Sequence, residues 1–318
     1  MNQQMQTLYP SGHLLEIFMP LRKDERRMLD VLKQAVDIGF YRGVELGIFF
    51  DKYNRMAVRN IIEQNGYNLT IFVTPYLKEN GMNLSSLDEN LRNKTIQYTI
   101  DLIELASEMG CTNLGVPSGD DPGDALRKKA KQVLAESMAQ IADVAKAKSM
   151  NITLEPLDRY AYKKQLIGPM KETTDWFAPL HARCPNTFIH WDSAHEALSQ
   201  TDIMLSLEYA SPYIAQFHLC NAILDRFHPC FGDLHMDVEQ PPEFETEGFL
   251  TPNIGAQILA KVASFPKPAG VERTFVSIEV MGHPGDDLWH KEETSRLFLQ
   301  KCFALAGLEE SLLPQSPA

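Results

Sequence analysis

Residues 151–157 read Asn151-Ile152-Thr153-Leu154-Glu155-Pro156-Leu157. The run is too short for a helix, rich in apolar and β-branched side chains, and stopped by a proline, so it predicts a strand. The preceding stretch, 124–148, follows Asp120-Asp121-Pro122-Gly123 and is studded with Ala, Lys and Leu, which predicts a helix. Another helical stretch follows at 172–183. Helix, strand and helix in succession make one unit of an alternating α/β chain.

The same alternation runs outward in both directions. Strands are predicted at 14–19, 43–49, 69–75 and 113–118 on one side and at 187–193, 214–220 and 274–281 on the other. Helices are predicted at 24–38, 52–65, 88–109, 201–209, 252–263 and 290–306. In the first of these, Met28, Leu29, Leu32, Ala35 and Val36 form one apolar stripe. Asp88 stands where an N-cap is needed for 88–109, and Gly110 where that helix should stop. Regular alternation implies parallel strands joined by right-handed crossovers, and eight such units close into a (β/α)8 barrel. A doubly wound open sheet is the competing architecture, but no Gly-x-Gly-x-x-Gly turn follows the first strand. With no low-complexity linker, residues 1–318 are read as one domain. Two strand-to-helix connections are long, 158–171 and 221–250, and belong on the catalytic face of a barrel.

Composition narrows the classes. A 44% hydrophobic, 23% charged chain can bury a large core. A net charge of -12 argues against a nucleic-acid partner, because phosphate neutralisation needs a basic face. No segment approaches the ~20 apolar residues of a membrane span, and the N-terminus lacks the pattern of a secretory leader. The 5 cysteines are odd in number and scattered without a Cys-x-x-Cys pair, which reads as reduced thiols in a cytoplasmic protein.

The chemistry lies in charged residues set in apolar β sequence. Glu155, Asp192, His218 and Glu279 fall at or near the ends of the predicted strands five, six, seven and eight. An unpaired charge there would cost several kcal/mol. A buried Lys or Arg partner would account for any one of them alone. Four together at one barrel mouth favour a shared divalent cation, and an O3N shell suits Mn²⁺, Mg²⁺, Fe²⁺ or Co²⁺.

The ordered Glu155, Asp192, His218, Glu279 set, with Asp192-Ser193-Ala194-His195, resembles the xylose-isomerase-like barrel superfamily, and its ketose 3-epimerase branch in particular. That resemblance covers essentially the whole chain. It implies one divalent metal ion, Mn²⁺ foremost, with Glu155 and Glu279 as acid/base residues and His195 against the substrate. A packing role explains His195 as well. Glu45 is a candidate for a substrate hydroxyl, although a buried ion pair accounts for it equally. Arg226 is the nearest match to the epimerases' arginine, at a longer spacing than theirs.

The loop sequences Lys163-Lys164-Gln165-Leu166-Ile167-Gly168-Pro169 and His228-Pro229-Cys230-Phe231-Gly232-Asp233-Leu234-His235 are similar to those of the α subunits of bacterial C-glycoside deglycosidases. This second resemblance implies a lyase that expels the aglycone of a 3-oxo-C-glycoside after proton removal. Glu155, His195 and His235 are then candidate bases, Lys164 or Lys163 grips substrate, and Tyr160, Tyr162, Trp176 and Phe177 line an aglycone pocket. It further implies a small β-rich partner subunit, and an oligomer is expected. The C-glycoside lyase is the reading favoured by the two long loops, with a ketose 3-epimerase or related isomerase as its alternative. Apurinic-site endonucleases share the barrel, but their extra histidines are missing from Val73-Thr74-Pro75 and Val116-Pro117-Ser118.

Overall fold

A computed structural model describes residues 6–238 and 248–312. Strands β1 (Leu8–Gly12), β2 (Gly43–Leu46), β3 (Asn68–Phe72), β4 (Asn113–Pro117), β5 (Asn151–Glu155), β6 (Thr187–Asp192) and β7 (Ile214–Ile223) come in chain order. β8 (Gly232–Met236) and β9 (Thr274–Glu279) follow. Parallel pairing runs from β1 to β7 in sequence, β7 then pairs with β9, and β9 returns to β1, so eight parallel strands close a barrel. Helices α1 (Leu14–Ile17), α2 (Glu25–Ile38), α3 (Lys52–Asn65), α4 (Thr74–Glu79), α5 (Glu89–Glu108) and α6 (Asp124–Ala147) alternate with the first strands. They are followed by α7 (Met170–Arg183), α8 (Ser193–Leu198), α9 (Ile203–Ala210), α10 (Pro252–Ser264) and α11 (Leu288–Leu305). Among the described residues no helix is long and apolar enough to cross a membrane.

Strand periodicity separates the two faces of the barrel wall. On β6, Ile189 and Trp191 face the helices, where the Trp191 indole N–H donates to Ser206 Oγ on α9 at 2.8 Å. The alternate residues His190 and Asp192 face the barrel interior, both fully buried. The same alternation turns Glu155, His218 and Glu279 inward at the carboxyl ends of their strands. Lower in the barrel, Thr70 Oγ1 donates to Gln216 Oε1 across the interior at 2.7 Å. Helix ends follow local chemistry: Asp88 caps α5 by accepting from Asn90 and Leu91 N–H, and Gly110 takes a left-handed φ of 80° after its last turn.

Two expectations need correction. The first barrel strand is Leu8–Gly12, not 14–19, and Leu14–Ile17 is a single helical turn. All four residues of that turn are buried, and a short apolar run without alternation does not distinguish a strand from a buried helical turn. Pro10 and Gly12 disguise the true strand, yet it pairs on both sides, with β2 and β9. The second correction concerns 221–250. β7 runs on to Ile223, and β8 folds back against it as an antiparallel arm, pairing Asn221 with Met236 and Ile223 with Gly232. Residues 239–247 of that connection lie outside the described residues.

The strand-five loop is tied down by Asp158. Its carboxylate accepts from the backbone N–H groups of Ala161, Tyr162 and Lys163. Leu166 N–H donates to Gly119 O at 2.8 Å and Ile167 N–H to Ser118 Oγ at 3.2 Å, fastening the loop over β4. Tyr162 lies across Gly232, where φ is 120° and a Cβ would meet the ring at 2.3 Å. Only glycine lets the two long loops stack this closely.

Candidate metal centre

Asp192 ends β6 and caps α8. Its Oδ1 accepts from Ala194 N–H at 2.8 Å and His195 N–H at 3.0 Å, leaving Oδ2 buried without a hydrogen-bond partner. The register pairs Asp192 with His218 on β7, and Cys220 with Glu279 on β9. His218 Nε2 stands 2.8 Å from Glu45 Oε2, so the ionised carboxylate selects the Nε2–H tautomer and leaves the Nδ1 lone pair toward the mouth. His218 Nδ1 is 3.2 Å from Glu279 Oε2, yet both atoms are buried without hydrogen-bond geometry. One ligand atom from each of Glu155, Asp192, His218 and Glu279 falls within 4.8 Å of the others. Three orphaned donor atoms converging with a fourth carboxylate fit a divalent cation.

Electrostatics follows the same geometry. Burial pushes the Glu155 carboxyl up to about 8, with the nearby Glu279 charge adding to it. Burial also raises Asp192 to about 6. Glu45 is lowered to about 2, because His218 and His13 outweigh the burial that would raise it. His195 rises to about 9 against burial, held by Asp233, Asp158, Asp192 and Glu155. Several carboxylates therefore crowd one small volume, with imidazoles as their counter-charges.

His195 sits in the first turn of α8, with Nε2 3.8 Å from Glu155 Oε1 and 3.7 Å from Asp233 Oδ2. His235 comes in on β8, its Nε2 3.0 Å from Asp233 Oδ2 and its Nδ1 3.3 Å from Glu16 Oε2. A recess opens over these groups, lined by His13, Glu16, Glu155, Lys163, His195 and Glu279 among others.

Three expected substrate contacts are corrected. Glu45 is wholly enclosed beneath the mouth and holds His218, so it is out of reach of a substrate hydroxyl. Lys164 is exposed at a left-handed φ of 53°; the neighbouring Lys163 points in and pairs with Asp233 at 2.8 Å. Arg226 is exposed on the turn of the arm and lines a separate recess with Leu198, Thr201 and Leu224. Trp176 and Phe177 pack α7 instead of lining the mouth: the Trp176 indole N–H donates to Lys131 O at 3.0 Å, and Phe177 is in the core.

Four groups escaped the sequence reading. His13 and Glu16 were hidden by the misplaced first strand. Asp158 looked like a loop residue, although it is fully buried. His190, two residues before Asp192, shares its inward face, and its ring centroid lies 3.9 Å from that of His218. Period-2 counting back from Asp192 would have found it.

A closed parallel barrel with a mixed carboxylate and imidazole centre at its carboxyl mouth defines a class of (β/α)8 enzyme scaffolds. Residues 32–240 match the xylose isomerase-like TIM barrel family, and the chain belongs to that family. Among solved structures, an L-ribulose 3-epimerase superposes with a TM-score of 0.69 at 13% identity, over 98% of this chain and 100% of that one. The D-psicose 3-epimerase of Clostridium cellulolyticum H10 gives 0.61 at 16% identity, over 90% and 93%. The 3-keto-D-glucoside 4-epimerase of E. coli gives 0.60 at 13%, over 92% and 98%. No curated protein sequence matches this chain.

Proposed function

We propose that this chain is a divalent-metal-dependent sugar epimerase or isomerase, which removes a proton from the carbon next to a sugar carbonyl and returns one. The observation that carries this reading is the convergence of Asp192 Oδ2, His218 Nδ1 and Glu279 Oε2, all buried and unpartnered, beside Glu155. Each such atom costs about 1–3 kcal/mol if left unsatisfied. Glu155, Asp192, His218 and Glu279 would hold the ion, Mn²⁺ foremost among hard divalent cations. When bound, it polarises the substrate carbonyl and stabilises negative charge as it develops on that oxygen.

The chain's own residues then move the proton. Glu155 and Glu279 stand on β5 and β9, with β6 and β7 between them, so they reach the mouth from different sides. One carboxylate takes the proton from one face of the carbon; the other delivers a proton to the opposite face, which inverts the centre. His195, flanked by Glu155, Asp158 and Asp233, orients a substrate oxygen, and Lys163 adds a positive charge on the loop side. Phe72, Leu15 and Leu157 wall the recess and limit water at the reacting carbon.

The same proton removal in a 3-oxo-C-glycoside would expel the aglycone, the lyase outcome that the long loops suggested. The compared structures are epimerases by title, one of them named for a 3-keto-glucoside, and this favours epimerisation or isomerisation. The test is incubation of Mn²⁺-loaded protein in D2O with a panel of ketoses and 3-keto-glycosides, followed by NMR. Deuterium at the carbon next to the carbonyl, with a new epimer or isomer, is the expected result, abolished by chelation and restored by Mn²⁺. Absence of both exchange and product across the panel, with metal bound, would reject it. Aglycone release without epimerisation would restore the lyase reading.

A further inference from the structure

Glu279 has a second environment that the four-ligand centre does not use. Its Oε2 faces His218, while its Oε1 lies 3.6 Å from His235 Nδ1 and 3.4 Å from His13 Nε2. Glu16 Oε2 stands 3.3 Å from the same His235 Nδ1. Glu16, His235 and Glu279 each bring one ligand atom within 4.8 Å of the other two. Ligands around a hard cation, bound at about 2.1–2.4 Å, sit roughly 3 Å apart, so the spacing suits an ion between them.

His235 repeats the arrangement of His218. In both, Nε2 faces a buried carboxylate, Glu45 at 2.8 Å for His218 and Asp233 at 3.0 Å for His235. In both, Nδ1 faces a Glu279 oxygen. A carboxylate behind the imidazole is the usual support of a metal-bound histidine, because it fixes the tautomer and directs the free lone pair at the ion. Asp233 is itself anchored by Lys163 Nζ at 2.8 Å.

The backbone is built to hold this geometry. His235 adopts a left-handed φ of 49°, an uncommon conformation for a non-glycine residue. Its carbonyl accepts from Met281 N–H at 2.8 Å, just beyond Glu279. Gly282 N–H donates to Glu16 O at 3.0 Å, and a Cβ on Gly282 would meet Ile17 O at 2.0 Å. That close approach draws α1 and the end of β9 together and brings Glu16 to Glu279.

We infer that Glu16, His235 and Glu279 Oε1 form a second divalent-cation site, with Glu279 bridging it to the first. The inference rests on the metal-dependent reading above. Two oxygens and one nitrogen select a hard ion such as Mn²⁺ or Mg²⁺ and leave positions open toward the recess. A hydroxyl oxygen adjacent to the substrate carbonyl is the chemical group that fits there, so that a hydroxy-carbonyl pair spans both ions.

The test counts ions on the full chain after chelator stripping. Mn²⁺ is added back, free Mn²⁺ is followed by EPR, and bound metal is measured by elemental analysis after desalting. Wild type should bind two equivalents, with an exchange-coupled EPR signal from the pair. Glu16→Gln and His235→Asn should each bind one and lose that signal. Asp192→Asn should lose the first site instead and retain no more than one. Saturation of wild type at one equivalent, unchanged in Glu16→Gln and His235→Asn, would overturn the second site and leave the first standing. Binding of no ion at all would sink both readings together. If the variants fail to fold by circular dichroism, the wild-type stoichiometry alone decides.

Discussion

Glu45 Oε2 lies 2.8 Å from His218 Nε2, and both side chains are fully buried below the barrel mouth. The pair joins β2 to β7 across the interior and decides which nitrogen of His218 faces the centre. Removing the carboxylate should therefore act on metal affinity through ring orientation. Glu45→Ala is expected to weaken Mn²⁺ binding by about 10–100-fold. Calorimetric titration with Mn²⁺ measures it, and an unchanged Kd in a folded variant would remove Glu45 from this role.

Metal removal should also be visible as stability. An ion that binds only the folded chain adds about 2.7 kcal/mol at a free concentration one hundred times its Kd. Chelation is expected to lower the Tm of wild type by several degrees and to leave Asp192→Asn unmoved. Differential scanning calorimetry with and without chelator gives the comparison; equal shifts in both proteins would contradict the assignment of Asp192 as a ligand.

Glu196 sets a pH dependence away from the ligands. It is buried on α8 with Oε2 unpartnered, and burial pushes its carboxyl up to about 7. The folded chain therefore holds this proton more tightly than the unfolded chain. The stabilisation is fully present below the unfolded carboxyl's pKa of about 4.3 and is lost as pH rises through about 7. Glu196→Gln, which stays neutral, should be more stable than wild type at pH 8 by on the order of 1–3 kcal/mol, converging with it near pH 4–5. Parallel melting curves from pH 4 to pH 8 test the sign.

Lys163 and Lys164 are adjacent but should not behave alike. Lys163 pairs with Asp233 at the recess, whereas Lys164 is exposed. Loss of a charge-assisted contact costs about 1.5–3 kcal/mol, so Lys163→Ala should lower kcat/KM by roughly 10–100-fold. Lys164→Ala should stay within about twofold, as surface substitutions usually do. Steady-state kinetics on whichever sugar turns over separates them, and equal losses would move Lys164 into the site.

Much of the architecture was legible because it depends on local periodicity. Ile152, Leu154 and Glu155, or Phe188, Ile189 and Asp192, advertise half of a wall facing helices and half facing inward. The one strand misread, Leu8–Gly12, carries Pro10 and Gly12, and its place is decided by two parallel neighbours distant in sequence, β2 and β9. The supporting groups were harder to see for the same reason. Lys163 and Lys164 look identical in a linear reading, and only the backbone turn around Asp158 sends one of them inward.

By itself, then, the sequence determined the number and order of the barrel units and the convergence of Glu155, Asp192, His218 and Glu279, since strand alternation and parallel closure leave inward residues at strand ends one destination. The tertiary structure alone decided what surrounds them: the enclosure of Glu45, the β8 arm that brings Asp233 and His235 over the mouth, and the helical turn that presents Glu16. Those contacts join residues more than 170 positions apart, as Glu45 with His218 and Glu16 with His235. No local pattern encodes them, because they arise from closing the sheet and stacking its loops.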